Sequence, residues 1–402
     1  MTRVLALSGR RPSGVDRVCL AYLRALLADG VPCFGLVRTG LGYVLLDRDG
    51  MQVCLDAIEG RRGWPAPDFV SRMRHRADSP RRVPDTLARQ VAIARARPRV
   101  LARILRRHLP EGCVYINVDQ TTFTTRVAQA VKSIKGGKIT VFLHDTIPLD
   151  HPQYQTPQSV QKLAAILKRC ASYADLILTN SHVSGSDIAR HMSPLGSVPP
   201  VEVAHLGVEL DFFENENNDA DPKIEAPYFL HVGTIEPRKN IGFLLDLWEG
   251  LAERWPASDI PRLVIAGRRG WESRDVLERL ESTPLRDRFL LEFNDLDDAA
   301  LRDLVTGAAG VLFPSFAEGF GLPPVEAAAM GRPVVANTLP VLREILGDYP
   351  IYASVSDVYL WETIIRSLAT AQAVAQESGS GPEACFSPPT WEGHFNTVLR
   401  VT

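Results

Sequence analysis

Two glutamates eight residues apart, Glu318 and Glu326, bracket Gly319, Gly321 and two prolines in the stretch FAEGFGLPPVEAAAMGRPVVAN, residues 316–337. A carboxylate accepts two hydrogen bonds at once, which suits a ribose diol or a pair of sugar hydroxyls. The glycines let backbone N–H groups approach a ligand closely. The apolar run Val325 to Met330 predicts a buried helix, and Pro323 and Pro324 are tolerated in its first turn. A helix start preceded by glycine attracts anions, a diphosphate among them. Taken singly, either glutamate is more simply a solvated side chain or a helix-start charge. The whole string points to a bound ligand.

Three further stretches carry chemistry. HVGTIEPRKN (231–240) places Arg238 and Lys239 where a helix begins, with Asn240 as a candidate cap. Two cations there could neutralise a diphosphate as its charge develops; the plainer reading is an exposed basic turn. FLHDTIPL (142–149) ends a strand on His144 and Asp145, and such a histidine can hydrogen-bond a sugar hydroxyl or shuttle a proton. A core histidine beside a capping aspartate is the alternative. SGRRPSGVDRV (8–18) sets Gly9 and Gly14 around a first turn, a lip for a phosphate or an acceptor, with Arg10, Arg11 and Arg17 as added positive charge. In LTNSHVSGSDIARH (178–191), Ser181 reads as a helix cap and the segment as mostly structural.

Alternating strands and helices must position these groups. The apolar runs VLALSG, VPCFGLV, CVYINV (113–118), ITVFLHD (139–145) and ADLILTNS (174–181) read as strands separated by helical stretches. They are continuous rather than alternating, as in a parallel sheet covered on both faces. The polar, proline-containing ENENNDADPKIEAP (214–227) reads as a linker. The pattern then restarts with strands at 228–234, 262–267, 289–294, 310–315 and 333–337. The expected architecture is α/β: two Rossmann-like doubly wound domains, residues 1–212 and 228–386, joined by a linker at 213–227 and facing each other across a cleft. Ligands of such sheets bind beyond the carboxyl ends of the strands.

Composition adds few constraints. The chain has 402 residues, 45% hydrophobic and 23% charged, with a net charge of −2 that predicts no partner. Six scattered cysteines without a C-x-x-C pair suit a reduced, cytoplasmic setting. The opening apolar run, Val4 to Leu7, is too short for a signal peptide, and no stretch of apolar residues is long enough to span a bilayer. The charge is uneven, however. Between Arg61 and Arg107 stand fourteen arginines, no lysine and three acids, about +11 in all. This segment reads as a solvated surface or as a peripheral patch for anionic lipid headgroups or a phosphate-bearing acceptor. LARILRRHL (101–109) gathers its apolar residues on one helical face and its arginines on the other. No aromatic interleaving supports nucleic acid.

The stretch Glu318 to Glu326 resembles the E-x7-E signature of retaining glycosyltransferases with the GT-B fold, most of all family 4. HVGTIEPRKN, VFLHDTIPLDHP, LTNSHVSGSDI, AHLGVEL and RPSGVDRV resemble the corresponding segments of that group, in order and over nearly the whole chain. The resemblance implies a nucleotide-diphosphate sugar donor, GDP- or UDP-linked, a glycan or lipid-linked acceptor, and a place in bacterial polysaccharide assembly. It implies an acceptor-binding first domain, a donor-binding second domain and no metal or other cofactor. It places the ribose on Glu326 and the donor sugar on Glu318. The backbone of Gly319, Phe320 and Gly321 would lie near sugar and phosphate, and Arg238 and Lys239 on the diphosphate. His144 would lie at the sugar's reacting face and Gly14 in the loop near phosphates and acceptor. Some members carry arginine where this chain has Thr234, so Arg238 would supply that charge; Glu209 stands where aspartate is usual. The family's retaining chemistry has the acceptor hydroxyl attack on the face the diphosphate leaves, so the glutamates position rather than act as a glycosidase pair. The terminal PPTWEGHFNTVLRV resembles the family's tail helix (387–402), expected to cross back with Trp391, Phe395 and Leu399 buried. A phosphorylase or epimerase on the same fold, or a non-catalytic subunit, are the other readings. The expected location is cytoplasmic, at the inner face of the membrane if the arginine-rich segment binds lipid.

Overall fold

The computed structural model describes residues 1–8, 10–208, 224–270, 273–378 and 386–402. Gly9, Glu209, Cys385 and most of the expected linker lie outside the described residues.

Three sheets organise the chain. An antiparallel sheet contains β1 (Gly35–Thr39), β2 (Gly42–Leu46) and β3 (Ala94–Ala96), in that order. A parallel sheet runs β4 (Val114–Asn117), β5 (Lys138–Phe142), β6 (Leu176–Thr179), β7 (Val201–Val203). The second half builds β8 (Tyr228–Val232), β9 (Arg262–Ala266), β10 (Leu290–Phe293), β11 (Gly310–Phe313), β12 (Val334–Ala336) and β13 (Ile351–Tyr352). Their spatial order is β10-β9-β8-β11-β12-β13, all parallel. The chain therefore winds outward from β8, returns to its other side at β11, and winds outward again. The seam between β8 and β11 is a topological switch point, where loops diverge and leave a crevice.

The apolar runs of the second half form strands because both faces are covered: Leu230, Val264 and Val311 pack into one cluster, and Phe229, Leu263 and Leu312 into another. The first half departs from the sequence expectation in two places. VLALSG is not a strand. Thr2–Leu5 is one helical turn, and Val4, Leu5 and Leu7 bury against Leu20, Leu23, Val44 and Leu46. So short an apolar run carries no periodicity to separate strand from helix. VPCFGLV does yield β1, but it starts later, at Gly35, and turns back through Gly40 and Leu41 to pair with β2 instead of entering the parallel sheet.

The two halves are tied together. Glu344, on the helix Pro340–Leu346, accepts from the backbone N–H groups of His182 (2.6 Å) and Val183 (2.9 Å), at the start of the helix His182–Met192. As expected, Ser181 caps that helix by accepting from the Ser184 N–H. The tail helix Trp391–Val401 returns to the first half, where His394 Nε2 lies 3.0 Å from the Tyr22 hydroxyl. Its buried stripe is His394 and Val398, with Trp391 and Phe395 half-buried. Leu399 is 51% exposed, contrary to expectation. The contact follows spacings of three and four from Trp391, and a residue eight positions on rotates away from that stripe.

Candidate active site

Two loops meet at the switch point. The first leaves β8 and makes the short 3-10 turn Pro237–Lys239 before the helix Ile241–Arg254. Asn240 stands at this helix start, but not as a side-chain cap. It has a left-handed backbone (φ 56°), and its Nδ2 donates to the Pro314 carbonyl at 3.2 Å. The second loop leaves β11 and enters the helix Leu322–Ala329, with Gly321 at φ 87° just before it, a conformation that glycine adopts without strain. The Phe316 N–H donates to the Arg238 carbonyl (2.8 Å), stitching the loops together.

Their side chains form one ion network. Lys239 Nζ donates to Glu318 Oε1 at 2.6 Å, and Arg238 Nη1 to Glu318 Oε2 at 2.8 Å. Arg238 Nε lies 2.5 Å from Glu236 Oε1, and the Ser315 hydroxyl donates to Glu318 Oε1 at 2.7 Å. Lys239 and Glu318 side chains are each only 6% exposed. Burial alone would raise the Glu318 pKa; the Lys239 and Arg238 charges and the hydrogen bonds overcome it and hold the carboxyl at about 2. Burial lowers the Lys239 ammonium, against the pull of Glu318. Burial likewise raises Glu236, opposed by Arg238 and Lys239. Two cations thus face two carboxylates. The cations are neutralised by Glu318 and Glu236, rather than free in a basic turn.

His231 lies beneath this network on β8. It is fully buried, and its Nδ1 is 2.8 Å from the Leu312 carbonyl. A carbonyl only accepts, so Nδ1 carries the proton. Nε2 is then an acceptor, buried without a partner among the described residues. His231 Nε2 and Lys239 Nζ flank the same glycine, Gly233. Burial lowers the imidazole to about 4, so it is neutral near pH 7.

Glu326 sits one turn into the helix, but its partner comes from the first half. Arg17 Nη1 lies 2.6 Å from Glu326 Oε1. Burial raises the Glu326 pKa, and Arg17 opposes the rise. Gly14 opens the helix Gly14–Ala28 that carries Arg17, and its Cα faces Leu322. Ser13 and Asp16 form a capping box there. Beside this contact, Arg10, Arg11, Arg268, Asn294 and Asp295 line a cleft of about 470 Å³.

Gly319 is where the acidic loop touches the first half. A Cβ here would come 3.0 Å from Asp145 Oδ2 and 3.2 Å from the His144 carbonyl, so a side chain would require Asp145 and the adjoining backbone to shift by a few tenths of an ångström. His144 Nε2 donates to the Val118 carbonyl (2.9 Å), leaving Nδ1 as the ring's acceptor. Burial drops this imidazole to about 4. The Phe320 side chain is core, within 6.4 Å of the His205 ring centroid. Thr234 is half-buried in the turn after β8, against Gly270.

The structure therefore gathers Arg238, Lys239 and Glu318 at the switch point. It brings Gly319 to His144, and Gly14 and Arg17 to the helix of Glu326. Sequence reasoning missed Glu236, Ser315 and His231. Glu236 and His231 stand inside the quoted HVGTIEPRKN, but nothing in their spacing shows which way they face.

A parallel-sheet crevice that joins paired cations to a glycine-hinged acidic loop, opposite a second α/β unit, defines the GT-B class of glycosyltransferases. The chain is similar in fold to TarM (TM-score 0.57, 15% identity, covering 76% of this chain and 58% of TarM). It is also similar to Anabaena HepE, solved with UDP and glucose (TM-score 0.52, 16% identity, covering 78% and 82%). Residues 213–371 match the family described as Glycosyl transferases group 1. O-antigen chain mannosyltransferase B of Escherichia coli is 31% identical over 268 residues, 61% of this chain and 67% of that protein. The serotype-specific mannosyltransferase WbdA of Escherichia coli is 30% identical over 258 residues, which span 60% of this chain but only 31% of WbdA. The protein belongs to the group 1 glycosyltransferases.

Proposed function

We propose that the protein is a retaining hexosyltransferase that moves mannose, or a closely similar hexose, from a nucleoside diphosphate sugar to a hydroxyl of a glycan or lipid-linked acceptor in bacterial polysaccharide synthesis. The observation that carries this reading is the buried Arg238–Lys239–Glu318 network at the β8–β11 switch point. The mannosyltransferase names of relatives from Escherichia coli and Salmonella typhimurium support the sugar and the setting. The UDP held by HepE supports a nucleotide donor, and GDP is the other candidate.

In this reading residues 228–386 bind the donor, residues 1–212 the acceptor, 213–227 link them, and the tail 387–402 braces the pair. The diphosphate takes over Arg238 and Lys239, displacing Glu318 toward the sugar hydroxyls. Charge developing on the leaving diphosphate meets cations already fixed by the stitched loops, so little reorganisation accompanies bond cleavage. Glu326 exchanges Arg17 for the ribose diol. The backbone of Gly319, Phe320 and Gly321 lines the sugar and phosphate, and Thr234 and Gly14 border the phosphates. The cleft beside Arg268 and Asn294 has room for a nucleoside. His144, neutral and with Nδ1 as acceptor, takes a hydrogen bond from a hydroxyl at the sugar's reacting face rather than donating one.

The test is a transfer assay with GDP-mannose, UDP-glucose and their relatives on a synthetic glycan acceptor, with the product's anomeric configuration read by NMR. Retained configuration with one donor supports the proposal. Inverted product, or release of sugar phosphate in the presence of inorganic phosphate, overturns it.

A further inference from the structure

The arginine-rich segment is not one uniform surface. Arg89 is buried: it pairs with Asp68 at 2.6 Å and donates to the Ser71 hydroxyl at 2.5 Å. This bonding anchors the underside of the short helix Phe69–Arg74, whose start is capped by Asp68 accepting from the Ser71 N–H. The opposite face is left to solvent. Phe69 and Met73, one turn apart on that face, are 76% and 74% exposed.

The same end of the antiparallel sheet carries more of this pattern. Arg74 Nε donates to the Gly40 carbonyl (3.0 Å), so the β1–β2 hairpin tip abuts the helix. At that tip Leu41 is 53% exposed. On the tip's other side, Gly42 lies against the backbone of Ala96 and Arg97, which leads through Arg99 to Val100, 42% exposed. Leu41, Phe69, Met73 and Val100 thus stand on adjoining elements around one hairpin tip. Arg72, Arg97 and Arg99 are exposed around them and form no ion pair among the described residues. The acids of the segment are committed elsewhere: Asp68 to Arg89, Asp85 to His75 and the Gly40 N–H, Asp78 to Arg76.

We propose that this hairpin tip, with the helix Phe69–Arg74 and the Arg97–Val100 turn, is a docking surface for an anionic lipid bilayer. Large apolar side chains ringed by unpaired guanidinium groups match the boundary between acyl chains and phosphate headgroups, where each group finds its own medium. The charge argues for this occupant: an excess of cations repels a second copy of the same patch, whereas an anionic bilayer attracts it. No helix among the described residues is long and apolar enough to cross a membrane, so attachment here would be peripheral. The surface suits the lipid-linked acceptor proposed above, but bilayer binding stands or falls without that assignment.

The experiment is co-sedimentation of the full chain with vesicles of phosphatidylglycerol and phosphatidylcholine in equal parts, and with phosphatidylcholine alone. Wild type is expected to bind the anionic vesicles only. F69S/M73S, altered where the fold makes no use of the side chains, should lose about tenfold in binding. R72E/R97E should lose at least as much, since each basic residue near an anionic surface contributes roughly a fivefold factor. Both variants should keep the wild-type melting temperature. Binding that neither variant weakens, or no binding at low salt, overturns the proposal. So does self-association that F69S/M73S abolishes while vesicles are ignored, which would assign the patch to a second copy.

Discussion

The protein gathers positive charge in two places and treats it in opposite ways. At the β8–β11 switch point Lys239 is buried, Arg238 half-buried, and both are matched by Glu318 and Glu236. Around the β1–β2 hairpin tip, Arg72, Arg97 and Arg99 are exposed and unmatched. Buried charge must be paired and hydrogen-bonded to be tolerated, and pairing fixes its position to a fraction of an ångström. Exposed charge is loosely placed and screened, so it can attract a surface but cannot align a reacting bond. The first arrangement suits chemistry and the second suits adhesion.

Perturbing the buried network should have the largest effects. Lys239→Met removes a cation from the developing charge, and transfer should fall about a hundred- to a thousandfold, measured as kcat/KM, with the fold intact by circular dichroism. Glu318→Gln should separate stability from ligand affinity. It leaves two cations facing Glu236 alone, so denaturant unfolding should show a loss of about 3 kcal/mol. Yet the free nucleoside diphosphate should bind more tightly, because no carboxylate competes for the cations. A variant that loses both would mean that Glu318 builds the site instead of guarding it.

Acid should act through the buried imidazoles before it reaches the ion network. His144, His231 and His394 are held at about 4, below an ordinary 6.5, so their neutral forms stabilise the fold fully above pH 6.5. That contribution is lost as pH falls from 6.5 to 4, at most roughly 3 kcal/mol for each. Glu318, held at about 2, adds a second loss only below pH 4.5. His231→Phe should make the first phase shallower, by up to about a third, in a series of urea melts; an unchanged slope would contradict the assignment of a neutral buried ring.

A smaller effect is expected at the cross-cleft pair. Arg17→Ala leaves burial unopposed at Glu326, so its pKa rises further. Donor binding should then weaken with falling pH from a higher starting point than in wild type, followed by fluorescence or calorimetric titration. Identical pH profiles would separate Glu326 from the donor.

Much of this was legible in the sequence because it is local. Continuous apolar runs bounded by glycine and proline specify β8 to β12, and HVGTIEPRKN and FAEGFGLPPVEAAAM each span one strand-end loop. What was not legible depends on distant partners. The Arg17–Glu326 pair joins residues on two helices from opposite halves, and no spacing encodes it. The β1–β2–β3 sheet was missed because its pairing is set by the hairpin turn and by a third strand some fifty residues on, neither of which periodicity reports. Val4 to Leu7 was misread because four apolar residues bury equally well as a helical turn.

The central claim is that Arg238 and Lys239 exist to hold a diphosphate at the switch point. Isothermal titration of GDP and UDP into wild type and Lys239→Met tests it most directly. One nucleotide should bind the wild type, and the substitution should weaken that binding about a hundredfold, with circular dichroism showing the variant folded at the temperature of the titration. Equal affinity in the two proteins would place the diphosphate elsewhere and leave the buried network a structural feature only.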